Sequence, residues 1–206
     1  MKSAIEAAVG RSVSRETIDR METYFQLLQK WNPAINLVSS STLKASPERH
    51  FADSAQLEPL SDADRSWIDL GSGGGFPGLV VACLRTETCP DFRMTLVESD
   101  QRKAAFLRTV AIELSLSVDV IAARAEELTG LTFQTVSARA LAPLSTLAGL
   151  ADPLLEKQGC CLFPKGVSYA REVDETRKEW HFNLETIKSI TNPDSVILKL
   201  KGLHRA

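Results

Sequence analysis

Apolar residues recur at helical spacing near the start of the chain and fall into short unbroken runs over the rest. Ile18, Met21, Phe25 and Leu28, with Tyr24 and Trp31 beside them, line one face of a helix. Ser14 is placed to cap its start, and Glu16 meets the positive end of its dipole. Val13 and Ile18 occupy the two positions that staple a first turn. The helix is predicted to end around Asn32-Pro33, because a proline disfavours helical geometry at the residue before it. Residues 34–65 carry weaker signals: Pro47 and Pro59 punctuate them, and a helical patch covers 48–60.

From residue 66 the pattern becomes strand, helix, strand, helix. Apolar runs predict strands over 67–70, 92–97, 118–122, 133–138 and 159–163, and helices from Leu79, over 101–116, from Pro143 to about 155, and over 168–180. Two last strands, about 183–190 and 195–200, are joined by Thr191-Asn192-Pro193-Asp194, too short a connection for anything but an antiparallel pair. This order predicts an α/β fold with a mostly parallel sheet covered on both faces. Such sheets bind ligands at the carboxyl ends of their strands, near the reversal of strand order. The polar residues that interrupt the apolar runs fall at those ends: Asp69 and the glycines after it, Glu98, Ala125-Glu126 and Arg139.

Composition narrows the setting. At 206 residues, with 44% apolar and 24% charged side chains, the chain has the make-up of a globular domain with room for an appendage. No apolar run reaches the roughly 18 residues of a membrane span. Lys2 and Glu6 among the first residues leave no apolar signal core, so a cytoplasmic protein is expected. A net charge of -2 gives no overall attraction to nucleic acid, although a local basic face is open to it. Cys83, Cys89, Cys160 and Cys161 lack zinc-site spacing and read as core thiols in a reducing compartment, with no metal site.

The chemistry concentrates in Asp69-Leu70-Gly71-Ser72-Gly73-Gly74-Gly75-Phe76-Pro77-Gly78, an acid and five glycines in ten positions between a strand and a helix. Counted from Gly71, the dinucleotide fingerprint would need a glycine where Phe76 stands; a phosphate-cradling P-loop would need a lysine where Leu79 and Val80 follow Gly78. The pattern present is Asp-x-Gly-x-Gly-x-Gly on Asp69, Gly71, Gly73 and Gly75. Glu98 ends the next strand, 98 − 71 = 27 positions beyond the first glycine, placed to accept from ribose hydroxyls. A loop that approaches its ligand closely without a phosphate-binding lysine suits S-adenosylmethionine, whose cationic amino end Asp69 can hold directly or through water. A turn without ligand, or a nicotinamide or flavin site, stays open as an alternative.

Taken with these, Lys30-Trp31-Asn32, Asn36-Leu37, Arg49-His50-Phe51, Asp53-Ser54, Val97-Glu98-Ser99, Lys103 to Arg108, Arg124 to Glu127, Ser137 to Leu144 and Lys165-Gly166 make the chain similar, over nearly its whole length, to the RsmG (GidB) family. These are bacterial methyltransferases of guanine N7 in 16S ribosomal RNA. The resemblance implies a Rossmann-like class I S-adenosylmethionine methyltransferase fold, with a seven-stranded, mostly parallel sheet ending in an antiparallel hairpin. An N-terminal helical extension (1–65) would pack on the methyltransferase domain (66–206). It implies cofactor contacts from Gly71, Phe76, Ala125, Glu126 and Arg139, joined by Asp69, Gly73 and Glu98 from the loop argument. The implied partner is 16S ribosomal RNA or the small-subunit particle, met by a cytoplasmic monomer. Gln134, Ala138 and Cys160 depart from residues more usual in the family, on the fourth and fifth strands.

Guanine N7 carries an exposed lone pair, so its methylation needs no base, only alignment of N7, methyl carbon and sulfur. Arg139 is expected to shape the pocket between cofactor and base, Phe76 to pack on the cofactor, and His50 to form a wall of the site. Arg49, Arg102, Lys103, Lys165, Arg171, Arg177 and Lys178 are expected around the mouth as phosphate contacts. An enzyme acting on another RNA or a small molecule, or a binding module with a dead site, are the competing readings.

Overall fold

The computed structural model describes residues 1–39, 47–61 and 65–206. Its helices α1 (Lys2–Val9), α2 (Arg15–Ile35) and α3 (Pro47–Ala55) and a 3-10 turn at Glu58–Ser61 come first. The sheet then builds from β1 (Ser66–Leu70), α4 (Gly78–Thr88), β2 (Arg93–Val97), α5 (Gln101–Glu113), β3 (Val118–Ile121) and β4 (Phe133–Ala138). It closes with α6 (Leu144–Ala151), β5 (Leu155–Lys165), α7 (Tyr169–Thr176), β6 (Trp180–Lys188) and β7 (Val196–Arg205). The strand order is β3-β2-β1-β4-β5-β7-β6. β1 pairs in parallel with both β2 and β4, while β7 runs antiparallel to β5 and β6. The order reverses between β1 and β4, so the exits of those two strands frame the crevice where α/β sheets bind ligands.

Central strands are apolar because both faces are covered. In β1, Trp67 packs into the core on one face and Ile68 into the core on the other; Cys160 and Cys161 of β5 divide in the same way. One core joins that face of the sheet to α4, α5 and the N-terminal helices through Ile5, Tyr24, Leu28, Phe51, Leu79 and Phe106. The second lies under α6 and α7, around Leu144, Leu147, Phe163 and Leu198. The N-terminal helices thus share one apolar core with the sheet.

Several boundaries differ from the sequence expectation. α1, for which no helix was expected, buries Ile5, Ala8 and Val9 on one face. α2 is capped by Ser14 Oγ, which accepts from Thr17 N at 3.1 Å, and it runs through Pro33 to Ile35. Asn36, in left-handed conformation, then returns its N–H to Asn32 O, and Asn32 Oδ1 accepts from Val38 N, fixing the exit that Pro33 alone was expected to set. The expected helix through residue 155 stops at Ala151, and β5 begins at Leu155, before Gly159. The expected helix over 168–180 ends at Thr176; Trp180, Phe182 and Leu184 alternate as the inward side of β6. Long-range pairing with β7, which itself runs to Arg205, overrides the local helical preference there.

Candidate active site

Loops at the carboxyl ends of β1, β2, β3 and β4 converge on one crevice. The glycine loop leaves β1 through Gly71, Gly73 and Gly75, all at positive φ. At Gly75 a Cβ would lie 2.3 Å from Leu79 Cδ1 and 2.7 Å from the Tyr24 hydroxyl oxygen, so the turn admits no side chain. The Tyr24 hydroxyl, carried by α2, donates to the Gly74 carbonyl and ties the N-terminal helices to the loop. Glu98 closes the other side: one carboxylate oxygen accepts from Gly73 N at 2.9 Å and the other from Asp100 N at 2.8 Å. Each oxygen keeps acceptor capacity for a second donor.

Asp69 lies beneath the loop rather than in it. It is fully buried; Oδ1 accepts from Ser137 Oγ at 2.6 Å and Oδ2 meets Gly78 N at 3.4 Å. The same Ser137 hydroxyl receives the Trp67 indole N–H at 2.8 Å. Burial pushes the Asp69 pKa up to about 6 against these hydrogen bonds. Direct contact with a ligand's amino group is therefore not what this carboxylate offers; it braces β1, β4 and the start of α4.

The remaining expected residues, Phe76 aside, divide between two cavities. The first, of about 160 Å³, brings Gly71, Ala125 and Glu126 together as expected, joined by Val97, Leu141 and Thr146. Gly71 is shaped for close approach: a Cβ there would sit 2.6 Å from Leu141 Cδ1. An apolar slot with a glycine floor and Glu126 at its rim is a wall set a nucleoside can use, so these residues fit the adenosyl part of S-adenosylmethionine, with Glu98 beside the cavity rather than among its walls. Leu141 carries no polar signal and could be found from sequence only by its place two residues after Arg139.

Arg139 lines the second cavity, of about 340 Å³, with Arg49, Asp53, Gln56, Lys165 and Ser189 among the other walls. Its guanidinium stands 3.5 Å from Asp53 Oδ2 and 3.4 Å from His50 Nδ1, and 5.0 Å above the Phe76 ring. It does not pair with Glu126 or Asp69. Because a guanidinium only donates, His50 Nδ1 accepts and the imidazole carries its proton on Nε2. Burial and Arg139 hold the His50 pKa below its usual value, keeping the ring neutral. Phe76, expected against the cofactor, has its ring buried among Tyr24, Phe51 and His50, at centroid distances of 5.2, 5.3 and 5.4 Å. Its ring supports Arg139 from below.

The basic residues do not form one mouth. Lys165 is held inside by Ala142 O and Glu172, both at 2.8 Å, Arg102 pairs with Asp100 and Lys178 with Glu175. Arg177 and Lys178 follow α7, whose chain has by then returned to the amino ends of the parallel strands, so they lie at the far end of the sheet. Arg49 and Arg171 are exposed at the near end and Lys103 is half-buried there. Among the described residues no helix is long and apolar enough to cross a membrane.

The glycine spacing has a second register. Gly73, Gly75 and Gly78 satisfy G-x-G-x-x-G, so the count from Gly71 does not by itself exclude a dinucleotide. Strand order settles the class: a seven-stranded sheet ending in an antiparallel β7 hairpin, over a glycine loop and the acid of β2, is the Rossmann-like fold of class I S-adenosylmethionine-dependent methyltransferases. Magnesium protoporphyrin IX methyltransferase from Synechocystis, solved with S-adenosylmethionine bound, superposes with a TM-score of 0.59 at 13% identity, covering 92% of this chain and 98% of that one. The Methanococcus jannaschii fibrillarin pre-rRNA processing protein does so with a TM-score of 0.52 at 11% identity, covering 69% and 68%.

Sequence comparison is narrower. Residues 17–198 match the family model of GidB, rRNA small subunit methyltransferase G, and the chain belongs to that family. It is 50% identical over 192 residues to the ribosomal RNA small subunit methyltransferase G of Cereibacter sphaeroides, covering 93% of each chain. The protein of that name from Rhodospirillum centenum is 50% identical over 199 residues, covering 96% of this chain and 89% of that one.

Proposed function

We propose that the protein transfers a methyl group from S-adenosylmethionine to N7 of one guanine in 16S ribosomal RNA. The observation that carries this reading is the segment leaving β4 at the switch point: Arg139 lines the polar cavity, and Leu141, two residues on, lines the cavity that holds Gly71, Ala125 and Glu126. When bound, S-adenosylmethionine supplies an electrophilic methyl group. Gly71, Ala125 and Glu126 would hold its adenosyl part, with Glu98 and Gly73 at the ribose. The chain's own residues need only bind and orient, because N7 has no proton to lose. Arg139 is suited to that task, since Asp53, His50 and Phe76 fix its guanidinium in one place. The enzyme is taken to act as a monomer in the cytoplasm, where its RNA substrate is made.

Mass-spectrometric mapping of 16S ribosomal RNA from cells with and without the gene tests this. Loss of a single 7-methylguanosine, restored by the wild-type chain and not by Arg139→Ala, is the expected result. An unchanged modification map would sink the assignment of substrate, and full activity of Arg139→Ala the role of Arg139.

A further inference from the structure

The cavity beyond Arg139 holds two carboxylates in contrasting states. Glu172 is spent: its Oε2 accepts from Lys165 Nζ and Leu144 N, both at 2.8 Å, and its Oε1 from Ser168 Oγ at 3.3 Å. Asp53 takes its hydrogen bonds at one oxygen and its ion pair at the other. Its Oδ1 accepts from Thr191 Oγ1 at 2.8 Å and Gln56 Nε2 at 2.9 Å, with Ser189 Oγ at 3.5 Å. Among the described residues, Oδ2 faces only Arg139 Nη1, at 3.5 Å, longer than a good charge-assisted hydrogen bond. The α3 helix and the β6–β7 connection thus fix a carboxylate in position and leave one oxygen with acceptor capacity inside a cavity.

The surroundings suit a flat, partly apolar ring. Ala140, Pro164, Val196 and Ile197 supply apolar wall to this cavity.

Resting on the methyl-transfer reading above, we infer that Asp53 is the residue that selects guanine, its Oδ2 accepting the N1–H and N2–H of a target base seated in this cavity. Guanine alone among the four RNA bases presents two adjacent N–H donors on its Watson–Crick edge, and a fixed carboxylate oxygen with two lone pairs matches them. That edge lies across the ring from N7. Reading the base there leaves the N7 lone pair free of hydrogen bonds, as attack on a methyl carbon requires. Adenine and cytosine would set a ring-nitrogen acceptor against the carboxylate, leaving it without its donor at a cost that a site built for hydrogen bonding turns into discrimination.

The test uses the full chain and small-subunit RNA carrying guanosine or inosine at the methylated position, the two differing only by the N2 amino group. Wild-type enzyme is expected to prefer guanosine by about 10- to 100-fold in kcat/KM. Asp53→Asn should cut that ratio to near one while leaving S-adenosylmethionine affinity, read by calorimetry, unchanged. Thr191→Val, which removes one donor to Oδ1 but keeps the carboxylate, should lower the ratio partially with activity retained, and it decides the matter if Asp53→Asn proves inactive. A wild-type ratio near one, or variants with the wild-type ratio, overturns the role of Asp53 while the methyltransferase reading stands. Absence of methylation on either RNA overturns both.

Discussion

At the scale of single residues, Asp69 shows how position in sequence and position in space diverge. Its place before the glycines suggests a ligand contact, yet it is fully buried and serves the fold. The reason is Ser137, its register partner on β4, which a reading of β1 alone does not supply. Burial also makes Asp69 a pH-dependent cost. Below its unfolded pKa of 3.8 both states are protonated and nothing is lost. Between 3.8 and about 6 the unfolded chain releases a proton that the folded one keeps, so stability falls as pH rises, and above that range the cost levels at about 3 kcal/mol. Asp69→Asn has no such proton. In urea unfolding, its stability relative to wild type is therefore expected to improve by up to about 3 kcal/mol between pH 4 and pH 7. A difference that stays constant with pH would show that Asp69 does not titrate in this range.

At the scale of elements, the N-terminal helices are part of the site's construction. Tyr24 on α2 touches Phe51 of α3 and Phe76 of the loop, and its hydroxyl satisfies the Gly74 carbonyl. Burial raises the pKa of that hydroxyl well above its usual value, so it remains a donor throughout the physiological range. Tyr24→Phe keeps the ring packing and orphans the carbonyl, at a cost of about 1–3 kcal/mol. A melting temperature lower by roughly 2–10 °C is expected, together with weaker S-adenosylmethionine binding, because the loop that forms the cavity floor loses its anchor. Unchanged affinity alongside a lowered melting temperature would confine Tyr24 to stability. Elements of this kind were legible unevenly. The periodic face of α2 and the apolar runs of β1 to β5 identify themselves, since burial on one stripe or on two faces leaves a local pattern. The starts of β5 and β6 do not, because residues such as Leu155 and Trp180 owe their strand geometry to partners far along the chain. The aromatic cluster that supports Arg139 was likewise hidden: Tyr24 reads as part of the apolar face of α2 and Phe76 as a cofactor contact, and with Phe51 they become a platform only when α2 and α3 fold onto the loop.

At the scale of the molecule, an acidic protein that acts on RNA must concentrate its positive charge. The net charge of -2 gives no general attraction, and part of the basic complement is turned away or internally paired. Arg49, Lys103 and Arg171 remain toward the carboxyl ends of the strands, Arg49 lining the second cavity, whereas Arg177 and Lys178 sit at the opposite end. If these three contact phosphates, each neutralised phosphate of a single strand contributes about 0.7 to the slope of log affinity against log salt, so a slope near −2 is expected. Arg49→Ala and Arg171→Ala should each weaken binding and reduce the slope by about 0.7, whereas replacing Arg177 and Lys178 together should leave both affinity and slope unchanged. Filter binding or fluorescence anisotropy across a salt series distinguishes these cases. A salt-independent affinity, or a loss confined to Arg177 and Lys178, would mean that the RNA approaches another face, and the cavities at the strand ends would then lack a route for the base.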